Sequence, residues 1–147
     1  MNEELILEAK SKAGNYYREG YNCAEALFLT FREYIAPDLD KDMVKLVTPL
    51  GGGIGRSGCT CGALSGGVII IGAAKGRTSP DGPRSDSYDL AGEFHKRFRS
   101  EFGSTCCRSL NKLETNDPAR GKLCLKIIGN SAGLLMQILQ EKGLVTG

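Results

Sequence analysis

The chain has 147 residues, 41% of them hydrophobic and 24% charged, enough for one domain with a core of its own and no need of covalent staples. Its formal net charge is +2 with both signs interspersed, which argues against a nucleic-acid binder and against attraction to an anionic membrane. The opening MNEELILEAK is acidic and amphipathic, without the basic stretch and apolar core of an export signal, and predicts a cytoplasmic protein.

Taken in chain order, the elements are helices. Leu5, Ile6, Ala9, Ala13, Tyr16 and Tyr17 recur at spacings of three and four, predicting a first helix that ends near Gly20. Asn22 is placed to cap a second, with Cys23, Leu27, Phe31 and Tyr34 on one stripe and Pro37 as its stop. A short helix from Lys41 to Val47 follows, then the loop LGGGIGRSG, then a helix from about Cys61 to Lys75. TSPDGPRSD is turn chemistry. Ala91, Phe94, Phe98 and Phe102 mark the buried side of a charged helix ending at Gly103. Asp117 as cap, Pro118 as first residue and Gly143 as terminator bracket a last helix carrying Cys124, Ile128, Ser131, Leu135 and Ile138 on one face. The expected architecture is a single all-α domain over residues 1–147, a bundle of five or six helices.

The central helix opposes its own propensities. Gly62, Gly66, Gly67 and Gly72 each weaken a helix by about 0.8 to 1.0 kcal/mol relative to alanine, so a compensating contact is expected. Close packing of another backbone is the favoured explanation and space for a cofactor the sharper one. The nearly uncharged run from Cys59 to Ala74 falls short of the roughly 20 apolar residues that span a bilayer, which predicts a buried helix and no membrane insertion.

Six cysteines in a cytoplasmic protein are free to bind metal or exchange electrons. Cys106 and Cys107 are adjacent, with Cα atoms about 3.8 Å apart across a trans peptide, too close for a relaxed disulfide, and at most one of them faces the core. Cys23 and Cys124 lie on apolar stripes, and Cys61 opens the glycine-rich helix. That leaves one interior thiol from each of four separated segments: Cys23, Cys61, one of Cys106 and Cys107, and Cys124. Four thiolates are what a closed metal site needs, although any one cysteine alone is as easily core filler. Cys23 and Cys61 sit at helix N-termini, where unpaired amides and the dipole are expected to lower a thiol pKa, and Arg56 and Arg108 are candidates for added positive charge.

The stretch GGGIGRSGCTCGALSGG, with NCAEA upstream, FGSTCCRSL downstream and a cysteine in the last helix, resembles the C_GCAxxG_C_C family of redox-active proteins over nearly the whole chain. Cys61, Gly62, Ala63 and Gly66 match the family's CGAxxG motif, and Cys23 and Cys124 match its first and last cysteines. The resemblance places the third at Cys107, leaving Cys59 and Cys106 outside the family set. It implies a redox function and an iron–sulfur or other metal site at Cys23, Cys61, Cys107 and Cys124, with Gly62 and Gly66 beside the cofactor. A related domain occurs in split-Soret cytochromes, but no CxxCH is present and no covalent haem is expected.

Three readings follow. In the first, the four thiolates hold a two-iron two-sulfur cluster that passes electrons to and from a redox partner protein; zinc would use the same ligands but prefers C-x-x-C pairs. In the second, the chemistry is metal-free and Cys61 attacks a disulfide that Cys23 or another cysteine resolves. In the third and lowest-ranked, GIGRSG, which fits G-x-G-x-x-G, binds a nucleotide or anion, although Pro49 precedes it and no parallel βαβ unit is expected. His95, the one histidine, reads as a half-exposed structural residue, and Tyr16, Tyr17, Phe31, Phe94 and Phe98 as core. Self-association into a homo-oligomer is left open.

Overall fold

The computed structural model describes residues 2–114 and 116–145, and the described chain is all-α, as the periodicity predicts. The helices are α1 (Glu3–Arg18), α2 (Cys23–Ile35), α3 (Gly62–Lys75), α4 (Ser85–Phe102), the single turn α5 (Cys107–Leu110) and α6 (Pro118–Glu141). Two 3-10 turns, Lys41–Leu46 and Thr48–Leu50, lead from α2 towards the glycine-rich loop. Among the described residues there is no strand, only an antiparallel bridge between Thr60 and Cys106.

Local chemistry sets the helix ends. Asn22 and Glu25 form a reciprocal capping box, the Asn22 side chain accepting from the Glu25 amide and the Glu25 carboxylate from the Asn22 amide, both at 2.9 Å. The Asp117 carboxylate caps α6 at the Ala119 amide, with Pro118 next, and Gly143 lies beyond the last turn at φ 72°. The short helix expected from Lys41 to Val47 is a 3-10 turn over Lys41–Leu46, with Val47, its C-cap, the one fully buried residue of the stretch.

The core lies where α2, α3, α4 and α6 meet, with α1 covering α2 and α6. Phe28, Phe31, Phe94, Phe98, Ile70 and Met136 are among its fully buried side chains. On α4 the buried residues are Leu90, Phe94 and Phe98, not Ala91: a spacing of four keeps the three large side chains in one row, and Ala91 falls to its edge. Helix α6 has the length and apolarity of a membrane span, and its apolar face packs against the other long helices of the core.

Glycine makes the α2–α3 contact possible. A Cβ at Gly66 would overlap the Ala24 carbonyl oxygen and stand 2.7 Å from Ala24 Cα. The main chain of α2 therefore rests directly on α3, and this burial outweighs the propensity cost of the glycine.

Candidate cysteine centre

Each of the four interior thiols comes from the start of a helix or close to it. The Asn22 capping box makes Cys23 the first residue of α2, and Cys61 is the N-cap of α3. Cys107 opens α5, while Cys124 lies in the second turn of α6. The cap of α2 is itself tied to the second 3-10 turn: Thr48 donates its hydroxyl to Glu25 at 2.7 Å, and Asn22 donates to the Thr48 carbonyl at 3.0 Å.

The short bridge decides between the neighbouring thiols. Thr60 and Cys106 pair directly, flanked by hydrogen bonds from the Cys61 amide to the Thr105 carbonyl and from the Cys107 amide to the Cys59 carbonyl. Side chains alternate along extended backbone, so Cys61 and Cys107 project to the side opposite Thr60 and Cys106. Cys61 and Cys107 are buried, 7% and 8% exposed, whereas Cys106 is half-buried and Cys59 exposed. Cys23 and Cys124 are half-buried, less enclosed than their apolar stripes predict. All six cysteines are free thiols.

Cys23, Cys61, Cys107 and Cys124 line one cavity of about 140 Å³, together with Tyr17, Asn111 and Arg120. N–H donors face the sulfurs: Asn111 Nδ2 donates to Cys124 Sγ at 3.2 Å, and Arg120 Nη2 lies 3.8 Å from Cys107 Sγ. The Gly52 and Ala24 amides are directed at Cys23, and those of Ala63 and Leu64 at Cys61.

The expectation of depressed pKa values at the helix N-termini is overturned. Burial pushes the Cys61 thiol up to about 12, with the Cys23 thiol nearby adding to the rise and the two amides only partly opposing it. Cys23 is raised for the same reason, against the Gly52 amide, and Cys107 is raised by burial against the Arg120 guanidinium. Desolvation of a thiolate outweighs a helix's first turn when the sulfur faces a mostly apolar cavity. Cys106 alone is shifted down: the Ser109 amide and hydroxyl and the Arg108 charge favour its thiolate, although its thiol also donates to the Gly58 carbonyl at 3.0 Å.

As donors the four sulfurs suit a soft metal centre in kind and number. As they stand, no three Cys, His, Asp or Glu side chains among the described residues are gathered closely enough to hold a metal ion. The site therefore meets the chemistry of a thiolate centre without forming a closed single-ion cage.

Other expectations resolve differently. Gly62 and Gly66 do not line the cavity; their missing side chains let α2 approach, and a Cβ at Gly62 would overlap Cys23 Sγ. Arg56 and Arg108 stand away from the thiol cavity, with Arg108 donating to the Ser57 carbonyl at 3.0 Å. His95 is exposed on α4. No strand precedes the GIGRSG loop, so the dinucleotide fingerprint lacks the strand and parallel unit that give it meaning. Tyr17, Asn111 and Arg120 were not among the sequence candidates. Arg120 had a signal, since it precedes Cys124 by one helical turn and shares its face. Asn111 had none, because its place beside Cys124 depends on how the chain returns from α5 to α6.

The chain is 24% identical over 144 residues to a protein of Archaeoglobus fulgidus that carries the name "Uncharacterized protein", a match covering 92% of this chain and 95% of that one. No solved structure matches it. The family model described as "Putative redox-active protein (C_GCAxxG_C_C)" matches residues 21–138, which contain all four cavity cysteines. The chain belongs to the C_GCAxxG_C_C family.

Proposed function

We propose that this redox-family chain is an electron-transfer protein whose Cys23, Cys61, Cys107 and Cys124 hold a two-iron two-sulfide cluster. The observation that carries the reading is the convergence of four thiols, from four separated segments, on one cavity with N–H donors facing them. A sulfide-bridged pair of irons reaches across a wider gap than a single ion, which favours it over zinc for thiols that do not close into a single-ion cage. When bound, such a cluster takes up and gives back one electron, exchanged here with a partner protein.

The chain's own residues would do the rest. The amides at Cys23 and Cys61 and the side chains of Asn111 and Arg120 offset thiolate charge, the factor that tunes the potential of such centres. Burial of Cys61 and Cys107 leaves those two residues little contact with bulk solvent. Raised thiol pKa values mean that protons must leave as metal enters, so loading weakens as pH falls.

One observation favours a second, metal-free reading, but at a different residue. Cys61 is protonated at neutral pH and unsuited to attack, whereas half-buried Cys106 has its pKa lowered. Anaerobic purification with iron, sulfide and zinc assays and a visible spectrum on the same sample separates the readings. Iron and sulfide in equal amounts, with absorption that bleaches on reduction, supports the cluster. Colourless protein that resists reconstitution, with Cys106 labelled fastest by a thiol reagent, supports thiol exchange.

A further inference from the structure

Beside the thiol cavity lies a second, larger opening of about 650 Å³, within the range of roughly 300 to 1,000 Å³ typical of small-molecule sites. Its charged lining is one-sided: Arg56, Arg108, Lys112 and Arg120 face a single carboxylate, Glu114. The whole chain carries only +2, so much of its imbalance is concentrated here. Among the described residues the ion pairs involve Lys12 and Arg97, and none engages these four cations.

Two of the guanidiniums are held in place by neutral groups. Arg120 donates to the Leu113 carbonyl at 2.7 Å and to the Asn111 carbonyl at 3.3 Å, and Arg108 donates to the Ser57 carbonyl at 3.0 Å. Such bonds orient a guanidinium without neutralising it, and its five N–H donors exceed those spent. Arg56 is presented by a strained backbone: Gly52, Gly53, Ile54, Gly55 and Arg56 all have φ between 55° and 71°. For the two non-glycine residues the left-handed region is disfavoured by the clash of Cβ with the backbone, and strain of this kind collects at working sites.

The loop amides of residues 54 to 59 donate to carbonyls within the segment from Pro49 to Ile54, and the Gly52 amide is directed at Cys23. Recognition therefore falls to side chains, not to an amide cradle. Gly52, Cys107, Asn111 and Arg120 line both openings, so an occupant of the larger one lies directly against the thiol cavity.

We propose that this cleft binds a small, multiply charged anion bearing carboxylate or phosphate groups, seated against the Cys107 and Arg120 wall. The cleft is concave and its charge lies inside it, which fits a small molecule better than the face of an acidic protein. The site does not depend on the thiols being metallated.

Calorimetric titration of the full chain with pyrophosphate and, separately, citrate tests this. Saturable binding of either that weakens with added sodium chloride is expected, and which probe binds tells the phosphate from the carboxylate source. The double variant Arg56→Asn with Lys112→Gln removes two exposed cations, and asparagine tolerates a positive φ. It should weaken binding about tenfold or more, the loss expected for a charge-assisted hydrogen bond. Lys10→Gln, away from the cleft, should leave affinity unchanged. No binding of either probe, or an equal loss in the double variant and Lys10→Gln, would overturn the proposal. Titrating metal-free and reconstituted protein side by side keeps the issues apart: binding by colourless protein supports the cleft even where the cluster reading fails.

Discussion

Cys61 and Cys106 lie on facing segments of one short bridge and have opposite chemistry, because alternation along the Thr60–Cys106 pairing buries one and leaves the other half-buried. Serine at position 61 should abolish iron and sulfide uptake, whereas Cys59→Ser and Cys106→Ser should largely preserve it; equal loss in all three, measured after anaerobic reconstitution, would refute the ligand set. The glycines of α3 divide in the same way. Gly66→Ala gains helix propensity but drives a methyl into the Ala24 backbone, which cannot yield as a side-chain tip can, and a net loss of about 1–3 kcal/mol is expected. Gly72 has open space where its Cβ would go, so Gly72→Ala should stabilise by about 0.4–1 kcal/mol. Urea denaturation of the two variants reads both signs directly.

Between elements, α1 and α2 are joined by a small polar network. Glu33 accepts from Lys12 Nζ at 2.8 Å and from the Tyr16 hydroxyl at 2.7 Å. Burial works to raise the Glu33 pKa, but these two bonds together with the charges of Lys12 and Arg32 outweigh it and hold the carboxyl below its ordinary 4.5. A depressed carboxyl contributes stability that is present above the unfolded pKa and lost as pH falls through the lower folded one. Glu33→Gln should therefore cost about 1 kcal/mol at pH 7, the range of a half-exposed ion pair with a second hydrogen bond. Below the folded pKa the gap between variant and parent should close. Denaturation followed from pH 7 down through the acid range checks this, and a gap that never narrows as pH falls would mean that the carboxylate charge is not its source.

For the molecule as a whole, the proposed centre is a cross-link. Its ligands come from α2, α3, α5 and α6, so a cluster bound to all four joins elements that are otherwise held by packing and a few hydrogen bonds. A ligand that binds the native chain and not the unfolded one stabilises in proportion to the logarithm of its binding. Reconstituted protein should melt well above the metal-free form under anaerobic conditions. Identical melting with a bound cluster would place that cluster outside the four-element junction.

What the sequence by itself determined is the local part of this protein. Periodicity and caps were sufficient for the long helices, since Asn22 and Asp117 act on amides three and two residues away and Pro118 fixes only its own φ. The resemblance carried by Cys61, Gly62, Ala63 and Gly66 and the other cysteines was sufficient for the family. Only the tertiary structure decided what each thiol meets. It reversed the expected pKa shifts, because burial is a property of the assembled cavity and not of a helix's first turn. It placed Arg120 beside Cys107 and left Arg108 acting on Cys106 alone, brought Asn111 to Cys124, and set Gly62 against the Cys23 sulfur and Gly66 against the Ala24 backbone. Each of these depends on distances across the chain, which a linear pattern does not contain.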